Sequence, residues 1–572
     1  MTLPVSPQTP LAHPLDAPDW ERLLFDQAGQ SRVVFRRDVE KMAAMGLAHL
    51  PVEAIAVDSD TALGQWPQED LTNRMDISHR LTRFFSSHFV AVLYELQSIL
   101  NKAGLKAYVI GGIVRDLLLS EERKLVLKDV DITVEGDALA VSEIIVSHSR
   151  NFHVEERFPE FGTAILHYKD SLYIDVASTR REQYATCGAL PQVFERGVPL
   201  AEDVVRRDFT VNALALSIHD LGKVLDLTGG IQDIHQRSIQ VLHPVSFFED
   251  PSRILRALKF CARLDFDLEP GTRQLLEQFL RYGAAVYKGG GERIKQEFKE
   301  FLQTPASPAK VRWLAYAHQV GLIRLVAMSL PADELAATHP AGATEAYWAH
   351  CSARYQQIES ALILPEPEEE GEAPAEEGVT VSSWTWEVYL CLLWQQIPAE
   401  WSEKAQSRLG LTKGERETVT AFLHLQASRG LESAALETAV EAYRFFHPLP
   451  EAAVWAALIC LPDEGRFRTL LETWATYRRK LAPTRVSLDG NDLIDLGVPG
   501  GIQVGTTLRQ LLYAKLSGQV QTRLDEVRFV RHLMGDTPES AGEPPAAPSP
   551  DRPMAPRSPF DALTYDPQVF EE

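Results

Sequence analysis

The chain has 572 residues, enough for several domains, and its 45% hydrophobic and 24% charged content is that of a globular protein. The formal net charge of −22 opposes a uniformly basic nucleic-acid binder, but the charge is uneven: Arg83–Glu300 holds 27 Lys/Arg against 31 Asp/Glu, and Arg478–Arg531 holds 9 against 5. No charge-free apolar run of about 20 residues argues for a membrane span, and the Pro-rich start does not read as a secretory signal. The five cysteines are scattered without CxxC spacing, which fits a reducing cytoplasm and gives no zinc signature.

Residues 1–80 read as an extension. Its first 18 residues are Pro-rich and expected to be disordered, and one or two helices are expected between Glu21 and Leu50. Ile77 to Leu105 has helical apolar spacing. An apolar run, Tyr108 to Ile110, then meets Gly111-Gly112 and Ile113-Val114-Arg115-Asp116. A strand, a glycine turn and a helix start present backbone N–H groups that suit phosphate. Asp129 and Asp131 alternate around Val130, so on a strand they share one face, as ligands for a hard divalent cation should.

A helix is expected over Ala138–Ser147, and strands over Thr163–Tyr168 and Leu172–Ala177. Asp175 lies between Ile174 and Val176. A carboxylate there is costly unless paired or metal-bound, so Asp175 is a third acidic candidate, with a salt bridge to Arg180 as the alternative. Residues 181–204, rich in Gly and Pro, read as a long loop. Arg206-Arg207 precede an apolar run and suit phosphate. Leu225 to Ile234 brings a second Gly-Gly turn. His219-Asp220 has no further His and Asp at suitable spacing, so no His-Asp hydrolase site is expected. Asp250-Pro251 reads as a helix start, with Asp250 and Arg253 on one side of it. Glu292-Arg293-Ile294 opens another amphipathic helix. Past residue 305 the spacing is helical, interrupted by the Glu- and Pro-rich 365–378. The tryptophans of Trp384–Trp394 and Ala453–Leu461 read as core.

Gly-Gly followed by Asp-x-Asp resembles the nucleotidyltransferase head of the DNA polymerase β superfamily. Five motifs in order resemble the class II tRNA nucleotidyltransferase and bacterial poly(A) polymerase family over residues 105–305: GGIVRD with DVD, RRDFTVNA, DLTGGIQDI, EDPSRILRALKF and ERIKQEF. The segment from Val486 to Arg523 is similar to the C-terminal part of the tRNA-type members. Lys259 departs from the pattern, standing where many members have a third arginine, and neither the extension nor the acidic insert belongs to it.

The resemblance implies an α+β fold: a small mixed-sheet head with helices at 81–235, then an all-helical neck at 236–305, body at 306–480 and tRNA-binding tail at 481–535, before a disordered 536–572. It implies transfer of C and/or A from CTP or ATP to a tRNA 3′ end, with Mg2+ held by Asp129 and Asp131. Gly111, Gly112, Arg115, Arg206 and Arg207 are expected at phosphate or ribose. Asp250 and Arg253 are expected at the base, with Arg256 and Lys259 supporting nucleotide or RNA. Adenine and cytosine each present an amino donor beside a ring-nitrogen acceptor, which an Asp–Arg pair complements. A poly(A) polymerase, a silent RNA-binding protein and a transferase acting on small molecules are the alternatives. Which nucleotides are added is left open by the sequence.

Overall fold

In the computed structural model the described residues are 22–27, 30–58, 73–120, 129–169, 172–287, 289–304, 307–325, 345–362, 385–395, 397 and 399–535. The disorder expected in 1–18, in 365–378 and in 536–572 lies outside them. The chain divides into two units. One comprises Met1–Trp348, Val381–Ser383 and Gln396–Gly410; the other comprises Ala349–Thr380, Trp384–Gln395 and Leu411–Glu572.

The first unit begins with an antiparallel pair, β1 (Arg22–Gln27) and β2 (Gln30–Phe35), followed by α1 (Arg36–Ala44) and the short β3 (Val57–Asp58), which pairs with β2. Where only helices were expected, Val33, Val34 and Phe35, β-branched and aromatic residues, are buried at the end of a strand. The sheet that follows has eight strands: β4 (Asn73–Asp76), β5 (Ala107–Ile110), β6 (Asp129–Val134), β7 (Phe152–Phe158), β8 (Thr163–Tyr168), β9 (Leu172–Ser178), β12 (Ala215–Ser217) and β13 (Lys223–Asp226). Their order is β4-β13-β12-β5-β6-β9-β8-β7, antiparallel except for the parallel pair β6 and β9. β10 (Arg180–Gln183) and β11 (Gln192–Arg196) form a separate antiparallel hairpin. The loop expected at 181–204 is therefore mostly ordered. Its strands are latched by the cross-strand pair Arg181–Glu195, 2.6 Å apart, a short-range match hidden by the intervening Gly and Pro.

Helices pack around this sheet. The helix expected over Ile77–Leu105 is broken into α2 (Ser78–Phe84) and α3 (Ser87–Ala103), because Ser86 caps α3 by accepting from Phe89 N at 3.2 Å. Then come α4 (Gly112–Leu119), α5 (Ala138–His148), α6 (Leu200–Val204) and α7 (Gly230–Gln236). The neck follows with α8 (Ser246–Glu249), α9 (Ser252–Leu264), α10 (Pro270–Gln278) and α11 (Gly291–Leu302). The N-terminal segment is tied to α10: Asp58 N donates to Gln274 Oε1 at 3.2 Å, and Gln278 Nε2 donates to the Ala56 carbonyl at 2.8 Å.

The second unit is helical in its described residues. Of the tryptophans expected in the core, Trp386 and Trp394 are buried, Trp455 is half-buried, and Trp384 lies outside the described residues. Its last part has its own core of Leu488, Leu493, Val498, Leu511, Ala514, Val520 and Val530. Glu526 is buried at that core and accepts from Ser487 N at 2.8 Å, Leu488 N at 2.9 Å and Lys515 Nζ at 2.6 Å. Among the described residues no helix is long and apolar enough to cross a membrane.

The second Gly-Gly turn is held by Asp226, whose carboxylate accepts from Thr228 N, Gly230 N and Ile231 N at 2.9–3.1 Å. Asp233, on α7, is buried beside it and takes a hydrogen bond from Thr210 Oγ1. Burial, then the nearby Glu269 and Asp226 charges, outweigh that bond and push the Asp233 pKa up to about 7. A raised pKa means that the folded state holds the proton more tightly. Its stabilising contribution is therefore complete below about pH 4 and is lost as pH rises through 7. Asp233→Asn is expected to flatten the fall of Tm between pH 4 and pH 8 and to exceed wild type at pH 8; melting curves across that range check it.

Candidate active site

Gly111 has φ 88° and ψ −148°, a conformation open to glycine, and it turns β5 directly into α4. A Cβ placed on Gly111 would lie 3.9 Å from Asp131 Oδ2, so the turn stands over the acidic strand. On that strand Asp129 and Asp131 project to one face, with Val130 buried between them. The parallel pairing of β6 and β9 sets Asp131 opposite Asp175. Three carboxylates thus share one face of two neighbouring strands. Burial by the surrounding protein, then repulsion from Asp175 and Asp129, raises the Asp131 pKa, and Arg207 opposes the shift. Asp175 is raised by burial and by Asp129. Asp129 and Asp131 are oxygen donors on a rigid strand, of the kind that a hard divalent cation takes.

The two arginines after α6 are organised by one residue. Buried Asp203 accepts from Arg206 Nη2 at 2.7 Å through one oxygen and from Arg207 Nη2 at 2.9 Å through the other. Burial alone would raise the Asp203 pKa, but Arg207 and Arg206 together lower it. Arg206 also reaches Glu182 on the hairpin at 3.2 Å.

A polar chain runs from the glycine turn to the neck. Arg115 folds under Gly112 and is buried. Its Nε donates to Asp116 Oδ1 at 2.9 Å and its Nη1 to Asn212 Oδ1 at 2.5 Å, and its guanidinium lies 4.8 Å from the Phe260 ring centre. Asn212 Nδ2 donates to Asp208 Oδ1 at 3.1 Å, and Asp208 Oδ2 accepts from Arg256 Nε at 2.9 Å. Lys259 is paired with Glu297 at 2.8 Å and Glu300 at 2.5 Å. Arg115, expected at phosphate or ribose, lines the cavity while bonded to Asp116 and Asn212.

At the neck, Asp250 does two things. Its Oδ1 accepts from Ser252 N at 3.1 Å and Ser252 Oγ at 2.6 Å, the capping role expected of an Asp before a helix. Its Oδ2 accepts from Arg293 Nη2 at 2.5 Å, and that arginine side chain is 46% exposed, so Oδ2 has a partner that solvent or a ligand can reach. Arg253 is buried and donates to Ser246 Oγ at 2.7 Å and the Arg206 carbonyl at 2.8 Å.

These residues meet in one open cavity of about 1090 Å³. Its lining includes Gly111, Gly112, Arg115, Asp129, Asp131, Arg206, Arg207, Asp250, Arg253, Arg256 and Lys259. Asp175 does not line it, but stands beside Asp131 across the strand pair. Sequence reasoning did not single out Asp203, Asp208, Asn212 or Arg293. Asp208 and Asn212 are four apart directly after Arg206-Arg207, a spacing that marks them as neighbours on one turn.

Residues 107–240 match the family model of the Poly A polymerase head domain. An A-adding tRNA nucleotidyltransferase of Geobacter sulfurreducens is 30% identical over 470 residues, covering 80% of this chain and 49% of the relative. A CC-adding tRNA nucleotidyltransferase of the same organism is 29% identical over 477 residues, covering 81% of this chain and 99% of the relative. The chain spans half or less of the length of the A-adding relatives it matches. A solved CCA-adding enzyme with ATP has the same fold, with TM-score 0.61, 23% identity, and coverage of 82% of this chain and 99% of that one.

Asp203→Asn keeps an acceptor but removes the charge that gathers Arg206 and Arg207. It is expected to weaken binding of a nucleoside triphosphate about tenfold and to lower Tm by several degrees. Calorimetric titration and melting curves check the two effects, and unchanged affinity would detach the arginine pair from the triphosphate.

Proposed function

We propose that this chain, whose head matches the poly A polymerase family and whose relatives are named tRNA nucleotidyltransferases, adds C and/or A from CTP or ATP to the 3′ end of tRNA. The observation that carries this reading is the single cavity holding Asp129 and Asp131, the Gly111-Gly112 turn, Arg206 and Arg207, and the Asp250–Arg253 pair. Acid, phosphate and base functions lie together, as nucleotidyl transfer requires.

Asp129 and Asp131, with Asp175 beside them, would hold Mg2+. When bound there it lowers the pKa of the attacking 3′-hydroxyl and neutralises charge on the triphosphate. The Gly111-Gly112 turn lets a phosphate approach backbone N–H groups at the start of α4. Arg206 and Arg207, oriented by Asp203, place positive charge toward the triphosphate and the departing pyrophosphate. Arg115 supports that turn from below through Asp116 and Asn212. Asp250 Oδ2 accepts from the amino group of adenine or cytosine in place of Arg293, and Arg253 donates to the ring nitrogen. Uracil and guanine present a carbonyl and a ring N–H there, leaving buried groups unpaired at about 1–3 kcal/mol each. A poly(A) polymerase or a silent RNA-binding protein is less well supported, since these relatives are named tRNA nucleotidyltransferases and the acidic and base-reading residues are all present.

The direct test supplies the full-length protein with tRNAs ending in the discriminator base, in C and in CC, with ATP and CTP separately and together. Product lengths then report which nucleotides are added, and no extension of any of the three would defeat the reading. Asp129→Ala and Asp131→Ala are each expected to abolish extension while leaving tRNA affinity nearly intact. Asp250→Ala is expected to retain partial activity but to gain UTP and GTP relative to ATP and CTP. If Asp250 acted as a helix cap alone, the same variant would lose about 1 kcal/mol of stability and keep its base preference; incorporation with each triphosphate separates the two. Removing the chain from Val486 onward is expected to weaken tRNA binding and flatten its salt dependence, measured by filter binding over a range of salt.

A further inference from the structure

The residue proposed to read the base has a buried support that leads out of the head and neck altogether. Arg253 Nη1 lies 3.5 Å from Glu249 Oε2. Glu249 is buried, and its other oxygen, Oε1, accepts from Lys41 Nζ at 2.8 Å. Lys41 belongs to α1, in the N-terminal segment that the family pattern lacks, 208 positions away in sequence. The remaining close group is His243, whose Nε2 is 3.2 Å from Glu249 Oε2. Burial, the largest influence on His243, pushes its pKa down to about 3, and the Glu249 charge opposes that shift.

Glu249 is therefore a buried anion placed between two cations, Arg253 on the cavity side and Lys41 on the outside. With Lys41 holding Oε1, Glu249 touches Arg253 only at 3.5 Å. The guanidinium is left spread between Ser246 Oγ at 2.7 Å and the Arg206 carbonyl at 2.8 Å, facing the cavity that it lines. Take Lys41 away and Glu249 has one cation left within reach. A buried carboxylate gains strongly by closing on its remaining partner. That closure draws the Arg253 guanidinium away from Arg206 and from the base position. Asp38, fully buried three residues before Lys41 on α1, is a second acid that feels the charges of Arg37, Lys41 and Glu249.

We propose that Lys41 is a positioning residue for base selection: through Glu249 it fixes the Arg253 guanidinium, so the N-terminal segment acts on nucleotide choice from outside the cavity. This rests on the base-reading role proposed for Arg253. Lys41→Met keeps the aliphatic stem and removes the charge; Lys41→Arg keeps the charge. Steady-state incorporation of each of the four triphosphates onto tRNA is measured for the full-length wild type, both Lys41 variants, Glu249→Gln and Arg253→Ala. The expected result in Lys41→Met is a KM for the preferred nucleotide raised about tenfold with kcat little changed, and preference over UTP and GTP reduced by a similar factor. Lys41→Arg restores both. In the Glu249→Gln background Lys41→Met has no further effect, because the anion that it controls is gone. A supporting role in folding alone predicts instead an equal fall in kcat for all four triphosphates with KM and preference unchanged, and that result overturns the proposal. Should Lys41→Met not fold, Lys41→Gln, which also removes the charge, carries the same test, with wild-type KM and preference as the overturning result. If Arg253→Ala keeps wild-type preference, the base-reading role falls and this inference with it. If Arg253→Ala loses preference and Lys41→Met keeps it, only the role of Lys41 falls.

Discussion

Three carboxylates on one face of two adjacent parallel strands repel one another, and the head is built around keeping them there. Asp129 and Asp131 are fixed by strand alternation, and Asp175 by the register of β6 against β9. Neither strand can slip by one residue without turning Val130, Ile132, Ile174 and Val176 out of the core, since all four are buried. The apolar face thus holds the acidic face in place. What the sheet provides is a concentrated negative potential at a position that backbone hydrogen bonds make rigid.

Around that potential the positive groups are each restrained by an acid. Asp203 gathers Arg206 and Arg207, Asp208 holds Arg256, and Glu297 with Glu300 holds Lys259. A guanidinium already bonded on one side loses little further freedom when phosphate meets the other. Such pairing lets a chain of net charge −22 gather several arginines and a lysine at one cavity. Arg115 shows the limit of that logic. It is so completely bonded, to Asp116, Asn212 and the face of Phe260, that it braces the glycine turn against the neck.

The neck repeats the device with a longer reach. Arg253 is buried among Ser246, Glu249 and the Arg206 carbonyl, so the Arg206-Arg207 segment and the neck helix α9 are joined by one side chain. Glu249 in turn ties that side chain to Lys41 and hence to the strands at the N-terminus. The second unit uses the same economy at its end, where Glu526 satisfies two backbone N–H groups and Lys515 beneath a small apolar core.

Local signals in the sequence determined a good deal. Tyr108 to Ile110 meeting Gly111-Gly112, Asp129 alternating with Asp131, and Asp250 before Pro251 each encode their own geometry within a few residues, so strand, turn and capped neck were legible, as was the apolar periodicity behind them. The break at Ser86 and the hairpin at Arg180–Arg196 were not, because a single cap overrode helical spacing in one case and cross-strand charges overrode Gly and Pro in the other. The hydrogen bond of Arg115 to Asn212 and the reach of Lys41 to Glu249 were decided by tertiary structure alone. A side chain's type says which partners it can take, but partners 97 or 208 positions away are chosen by the packing that brings them within 3 Å, and in a buried site that choice settles whether a charge faces the ligand or the protein.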